Sequence, residues 1–193
     1  MLSAVLAAAA ALALAPRLPR LRQRYDDTAL APIDGAADRR DNPALTRQLA
    51  DWAAQGAGNG ATLLPWARPK VPVPLAIARV AASEATAVRH FGYRLAGYHQ
   101  LDERSLLGGS LYRIGVQLRP LAWCLPRRAD EPWDDAWLAR ADAARLEALE
   151  RWLPRRPTLI VLEGEAAESA DRVAQALDYA AKNGDQPVRL LIL

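Results

Sequence analysis

Two short apolar runs near the carboxyl end, Thr158-Leu-Ile-Val-Leu162 and Pro187-Val-Arg-Leu-Leu-Ile-Leu193, constrain this chain more than any other feature. Each reads as a strand. Between them, small and apolar residues fall at Ala166, Ala170, Val173, Leu177 and Ala180. Steps of 4, 3, 4 and 3 keep all five on one helical face. Strand, crossover helix, strand is a βαβ unit, which pairs its strands in parallel and with an almost fixed hand. Both strands are nearly continuous in apolar residues, so both faces of the sheet are expected to be covered. Leu193 still lies inside the apolar run. Either that strand is buried in the sheet to its end, or the native chain continues beyond it.

The opposite end is of another kind. Residues 2–15 form an uncharged, alanine-rich run, followed by Pro16 and by Arg17, Arg20, Arg22 and Arg24. A membrane-spanning helix needs about 20 apolar residues, so this run is short. It suits the apolar region of a signal peptide, and Ala13-Leu14-Ala15 imitates a cleavage site. No basic residue precedes it, however, and Pro16 sits directly after the supposed cut. The arginines behind it favour the cytoplasmic side. Three membrane-related readings stand: an uncleaved anchor with a cytoplasmic body, a signal or anchor for a periplasmic body, or a start that misses upstream residues. The plain alternative is a soluble alanine-rich helix. We take residues 1–16 as an anchor or signal-like segment of a bacterial inner-membrane protein and residues 17–42, polar and without apolar period, as a linker.

Residues 43–193 then make one globular domain, long enough for a proper core. Asn42-Pro43 starts a helix carrying Leu45, Leu49 and Trp52. Gly56-Ala-Gly-Asn-Gly60 is a turn, since no Lys-Ser/Thr follows as a phosphate loop requires. Prolines 65, 69, 72 and 74 enforce extended chain beside Trp66, and a strand is expected within residues 71–80. A short helix over 84–91 should stop at Gly92 in the left-handed position. Tyr112, Ile114, Val116 and Leu118 alternate with Arg113, Gly115, Gln117 and Arg119, which predicts a half-buried strand over 111–119. Gly108-Gly109 would be the turn before it, and residues 93–101 its antiparallel partner. Asp134 or Asp135 would cap a helix running to about Leu153, with Leu138, Ala141, Arg145, Leu149 and Trp152 inward. That helix and the crossover helix would cover opposite faces of the sheet. The fold class expected is α/β, or α+β, with a mixed sheet and a C-terminal parallel βαβ unit packed by helices.

Composition excludes more than it indicates. The net charge is +3, but the signs are mixed along the chain, and of 25 basic residues only Lys70 and Lys182 are lysines. That skew reflects a GC-rich bacterial coding bias and weighs against a nucleic-acid partner, which needs a basic face. Cys124 is the single cysteine, so no intramolecular disulfide exists. It lies in an apolar run, as inert core cysteines do. Ser105 and Ser110 lack the Gly-x-Ser-x-Gly elbow that exposes a serine nucleophile. Ligands of open α/β sheets bind beyond the carboxyl ends of the strands. The loop placed there, Glu163-Gly-Glu165, is acidic, which disfavours a nucleotide. Glu163 and Glu165, joined by His90 or His99 as a base or ligand, are the weak polar-site candidates for a hydrolase or metal-dependent enzyme. Acids at a helix start are also favoured by its dipole alone, by about 0.3 to 1 kcal/mol.

The stronger functional signal is aromatic. The chain has six tryptophans, and Trp133, Trp137 and Trp152 cluster with Arg140, Arg155 and Arg156. Tryptophan and arginine are the residues that anchor protein interfaces, although such tryptophans also serve simply as packing. No family motif matches these residues. The function expected from the sequence is therefore a non-catalytic, membrane-anchored or envelope-associated adaptor that binds another protein and holds no cofactor. A small-molecule hydrolase or metal-dependent enzyme, and a small-ligand module with an apolar pocket near the tryptophans, are the alternatives.

Overall fold

A computed structural model describes residues 42–55, 75–102, 104–118, 132–154, 156–183 and 186–193. Four strands, β1 (Ala76–Arg79), β2 (Asp134–Leu138), β3 (Thr158–Leu162) and β4 (Val188–Ile192), form one sheet in the order β1-β4-β3-β2. Every pairing is parallel. The helices are α1 (Pro43–Ala54), α2 (Ala85–Leu95), α3 (His99–Asp102), α4 (Leu106–Leu118), α5 (Ala143–Arg151), α6 (Glu165–Glu168) and α7 (Ala170–Asn183). The fold is α/β, and the C-terminal βαβ unit is present as the periodicity predicts. Ala166, Ala170, Val173, Leu177 and Ala180 are all buried.

The strands alternate between two cores. Ala136, Leu138, Ile160, Leu162, Leu190 and Ile192 face α5 and α7, whose Leu146, Leu149, Val173 and Leu177 close that layer. Trp137, Leu159, Val161 and Leu191 face the other way, onto Leu49 and Ala53 of α1 and Val88 and Phe91 of α2. Helices thus cover both faces, which is why β3 and β4 are apolar at successive positions. The connections follow from chirality. From β2 to β3 to β4 the chain steps toward β1, with α5 and α7 on one face. From β1 to β2 it steps back across the full sheet, with α2 on the other. Reversing both direction and face keeps one hand throughout. The expectation that the helix before β3 and the crossover helix would lie on opposite faces is therefore corrected: two crossovers in the same direction with the same hand share a face.

Three further expectations are corrected. The mixed sheet relied on an antiparallel strand over 111–119, but that segment belongs to α4. Its apolar residues fit two periods at once, since Leu107, Leu111, Ile114 and Leu118 recur at steps of 4, 3 and 4. The Ser105 hydroxyl accepts from the Gly108 amide at 3.3 Å, so the supposed turn glycines sit in the first turn of a capped helix. Residues 93–101, its supposed partner, lie in α2, a turn and α3. Second, Asp134 and Asp135 open strand β2, and α5 is capped instead by Asp142, which accepts from the Arg145 amide at 2.8 Å. Five residues of β2 pair in register with β3, and that pairing overrides the helical spacing. Third, Gly92 is a buried residue inside α2, not its stop. Asn42, by contrast, caps α1 as expected, accepting from the Leu45 amide at 3.2 Å with Pro43 in the first turn.

The left-handed glycine lies further on, at Gly97, with φ of 77°. The Tyr112 hydroxyl occupies the place a β-carbon would take there and donates to the Gly97 carbonyl at 3.4 Å, fastening α4 to the end of α2. Gly97→Ala is expected to cost about 1 to 2 kcal/mol from backbone conformation and more from displacing Tyr112. A thermal melt should register at least roughly 2–4 °C of loss. An unchanged melting temperature would show that α4 is not held there.

Among the described residues no helix is long and apolar enough to cross a membrane. The segment 2–15, residues 17–41 of the linker, the glycine turn, Trp66 with its prolines, Cys124 and Arg155 lie outside the described residues.

Candidate functional site

The carboxyl ends of the strands are where a parallel sheet offers a ligand site. The chain leaves β1 through a single 3-10 turn, Ala82–Glu84, into α2 on one face. It leaves β3 through Glu163 and Gly164 into α6 and α7 on the other. These exits diverge around the end of β4, which makes the gap above β4 the position where ligands of such folds bind.

Here the gap is bridged by the chain's own side chains. Arg89, one turn into α2, reaches Glu163 at 3.3 Å and lays its guanidinium 4.8 Å from the centre of the Trp137 ring. Arg140, in the loop after β2, approaches Glu165 at 3.7 Å. The backbone reinforces this: Glu163 donates to the Leu138 carbonyl at 3.0 Å, and Ala166 to that of Ala139 at 3.1 Å. Gly164, with φ of 55°, makes the turn between them. Arg140 and Glu165 are both largely exposed, so their pair contributes about 1 kcal/mol or less. Arg89 is partly shielded, and its stacking on a buried indole adds roughly 0.5–1 kcal/mol.

The weak polar-site candidates are not gathered into one constellation. Glu163 and Glu165 share the loop after β3, each turned to a different arginine. His90 follows Arg89 on α2, but the Glu163 carboxylate is engaged by Arg89. His99 lies at the other end of the sheet: Leu95, closing α2, accepts from the amide of Trp133, just ahead of β2, and His99 comes after that. An 11-residue helix spans about 16 Å, which separates His99 from Glu163. Among the described residues no three His, Cys, Asp or Glu side chains come together as a metal site.

The tryptophan and arginine candidates are also dispersed. Trp137 is 4% exposed and belongs to the core beneath α2. Trp133 is half-buried against that same core, whereas Trp152 packs against the opposite one. The exposed aromatic cluster expected from their spacing is therefore corrected: Trp133 and Trp137, four residues apart at strand β2, turn to the same core under α2, and Trp152, after α5, packs on the opposite face. Arg156 is buried too, 3.8 Å from Asp134, joining the amino ends of β2 and β3. Of the described members only Arg140 stands in solvent.

Two features have no counterpart among the expectations from sequence. Arg189, in the second position of β4, is 1% exposed. Its guanidinium donates to the carbonyls of Ala53 at 3.2 Å, of Val188 at 3.2 Å and of Gln55. It fastens the last turn of α1 to the sheet, where a cation is also favoured by the helix dipole. Burial lowers its pKa from the ordinary arginine value. The signal was a lone arginine within an apolar strand. The second feature is α4, whose Leu107 is 80% and Leu111 69% exposed. They stand one turn apart on one face, with the exposed Gly115 a turn beyond.

Comparison with protein-family models, curated proteins and solved structures finds no match for this chain. An open groove between α5 and α7 is floored by Leu146 and Ala176 and rimmed by Glu147, Glu150, Arg172 and Gln175. The face of α4 is the surface with the larger apolar exposure.

Proposed function

We propose that this protein is a non-catalytic accessory or adaptor, held at a bacterial membrane through residues 2–15, that binds another protein through α4. The observation that carries the reading is the exposure of Leu107 and Leu111, neighbours one turn apart on the same helical face. Leaving a leucine in water forgoes about 1.5–3 kcal/mol of burial, and exposed apolar pairs on a helix are how groove-docking and helix-pairing partners are recognised. The docking surface moves accordingly from the tryptophans to α4. The hydrolase and small-ligand readings draw no support from the described residues: the acids after β3 are engaged by arginines, and the tryptophans are packed in the two cores.

The test uses the full chain in cells, with a photo-activated cross-linking residue in place of Leu107, Leu111 or, on α7, Arg172. Protein adducts of one common mass are expected from both α4 positions and not from position 172. A chain giving no α4 adduct while turning over a small substrate is an enzyme, and the adaptor reading then fails. Alkaline phosphatase fused after Leu193 reports the side of the membrane, because it is active only outside the cytoplasm.

A further inference from the structure

We infer that α1 is a releasable strap: it opens as a unit from a helix-docking groove on the sheet, and the opened groove accepts α1 supplied in trans by a second copy. The inference stands apart from the reading of α4. Its basis is how little of α1 holds it down, and where the holding groups come from. Of its twelve residues only Leu49 and Ala53 are buried. They stand one turn apart and rest on Val88 and Phe91 of α2 and on Leu159, Val161 and Leu191 of the sheet. Few buried apolar contacts mark the segments of a fold that open first.

Each end of the helix is met by a side chain of the body. At the start, the Asn42 amide donates to the Glu84 carboxylate at 3.2 Å, ahead of α2. At the finish, Arg189 donates to the carbonyls of Ala53 at 3.2 Å and of Gln55. The last turn of α1 holds no basic residue of its own, so the groove supplies the cation that a helix dipole favours there. An apolar floor with a cation at one end receives an amphipathic helix and fixes its direction.

Opening leaves the rest of the described fold intact. α1 is the first element of the described residues, and the pairings β1–β4, β4–β3 and β3–β2 run without it. Its loss breaks no strand pairing. The bonds from Arg189 to α1 go to neutral carbonyls, and burial lowers the pKa of that side chain. Opening returns the guanidinium to water, which offsets the bonds given up. The same groups that hold α1 in cis are then free to take an identical helix from another chain.

The experiment uses the full-length chain. In native-state hydrogen exchange, the α1 amides around Leu49 are expected to exchange about tenfold or more faster than those of β3, through one shared opening. Equal protection of α1 and β3 overturns the strap. Binding is the second arm, with a fluorescein-labelled peptide of residues 42–55 as the probe. The wild-type groove is filled in cis, so only its open fraction takes the peptide. The Leu49→Asp/Ala53→Asp variant, whose own α1 is detached, should bind the peptide about tenfold or more tighter than wild type. Adding Arg189→Met should abolish that gain, and an unlabelled peptide carrying Leu49→Asp should fail to compete. Equal binding by wild type and the detached variant overturns the groove. Loss of β3 protection in the detached variant overturns the strap, because α1 is then part of the folding unit. The α4 cross-links bear on the adaptor reading alone, so either can fail without the other.

Discussion

Arg189→Ala is expected to destabilise the fold by about 4 to 8 kcal/mol, a large part of the roughly 5–15 kcal/mol available to a domain. Two terms add. The arginine stem is enclosed between β4 and α1, and its removal leaves a cavity of the kind that costs about 2–5 kcal/mol after leucine truncation. The buried carbonyl of Ala53 and the carbonyl of the exposed Gln55 also lose a charged donor, a loss worth about 1.5–3 kcal/mol at the buried site. Arg189→Met separates the two, because it keeps most of the stem and removes the donors; about 2 kcal/mol is expected. Urea unfolding measures the totals. Native-state hydrogen exchange locates them: amides of α1 around Leu49 and Ala53 should lose protection before those of β3. If α1 keeps its protection in Arg189→Met, the side chain is not what holds that helix down.

The second large effect is at Trp137. Truncation to alanine should cost about 3–5 kcal/mol, seen as a fall of roughly 6–20 °C in melting temperature at 2–4 °C per kcal/mol. The indole is 4% exposed, lies under α2 and forms the platform for Arg89. Trp137→Phe should be far milder, because among the described residues the indole nitrogen meets no hydrogen-bond partner that phenylalanine would forfeit. This series separates packing from recognition. A surface anchor loses partner binding with its stability intact; a core residue loses stability first. Arg140→Ala is the control, since an exposed arginine in an exposed pair should change stability by about 0.5 kcal/mol or less.

The same contrast marks how far the candidate site was legible. Glu163 and Glu165 were placed correctly beyond the end of β3, because the apolar run before them and the helical row after them leave no other position. Their partners were not legible. Arg89 lies 74 residues from Glu163, and only the return of α2 over the sheet brings it there. The tryptophans misled for a related reason. Trp133, Trp137 and Trp152 are close in sequence, yet the first two pack under α2 and the third on the opposite face of the sheet. Leu107 and Leu111 were hidden inside a period that fits a strand as well as a helix.

What the sequence determined by itself is local and periodic. The row from Ala166 to Ala180, the apolar runs on either side and the Asn42-Pro43 start are each set by spacing or backbone chemistry within a few residues, and they form the βαβ unit and α1. Tertiary structure alone decided the rest. Residues 134–138 are a strand because β3 offers a parallel partner in register, and α5 and α7 share a face because successive crossovers in one direction keep one hand. Arg189 tolerates burial because the end of α1 arrives with unpaired carbonyls. Such outcomes depend on contacts between residues far apart in the chain, and no local pattern carries them.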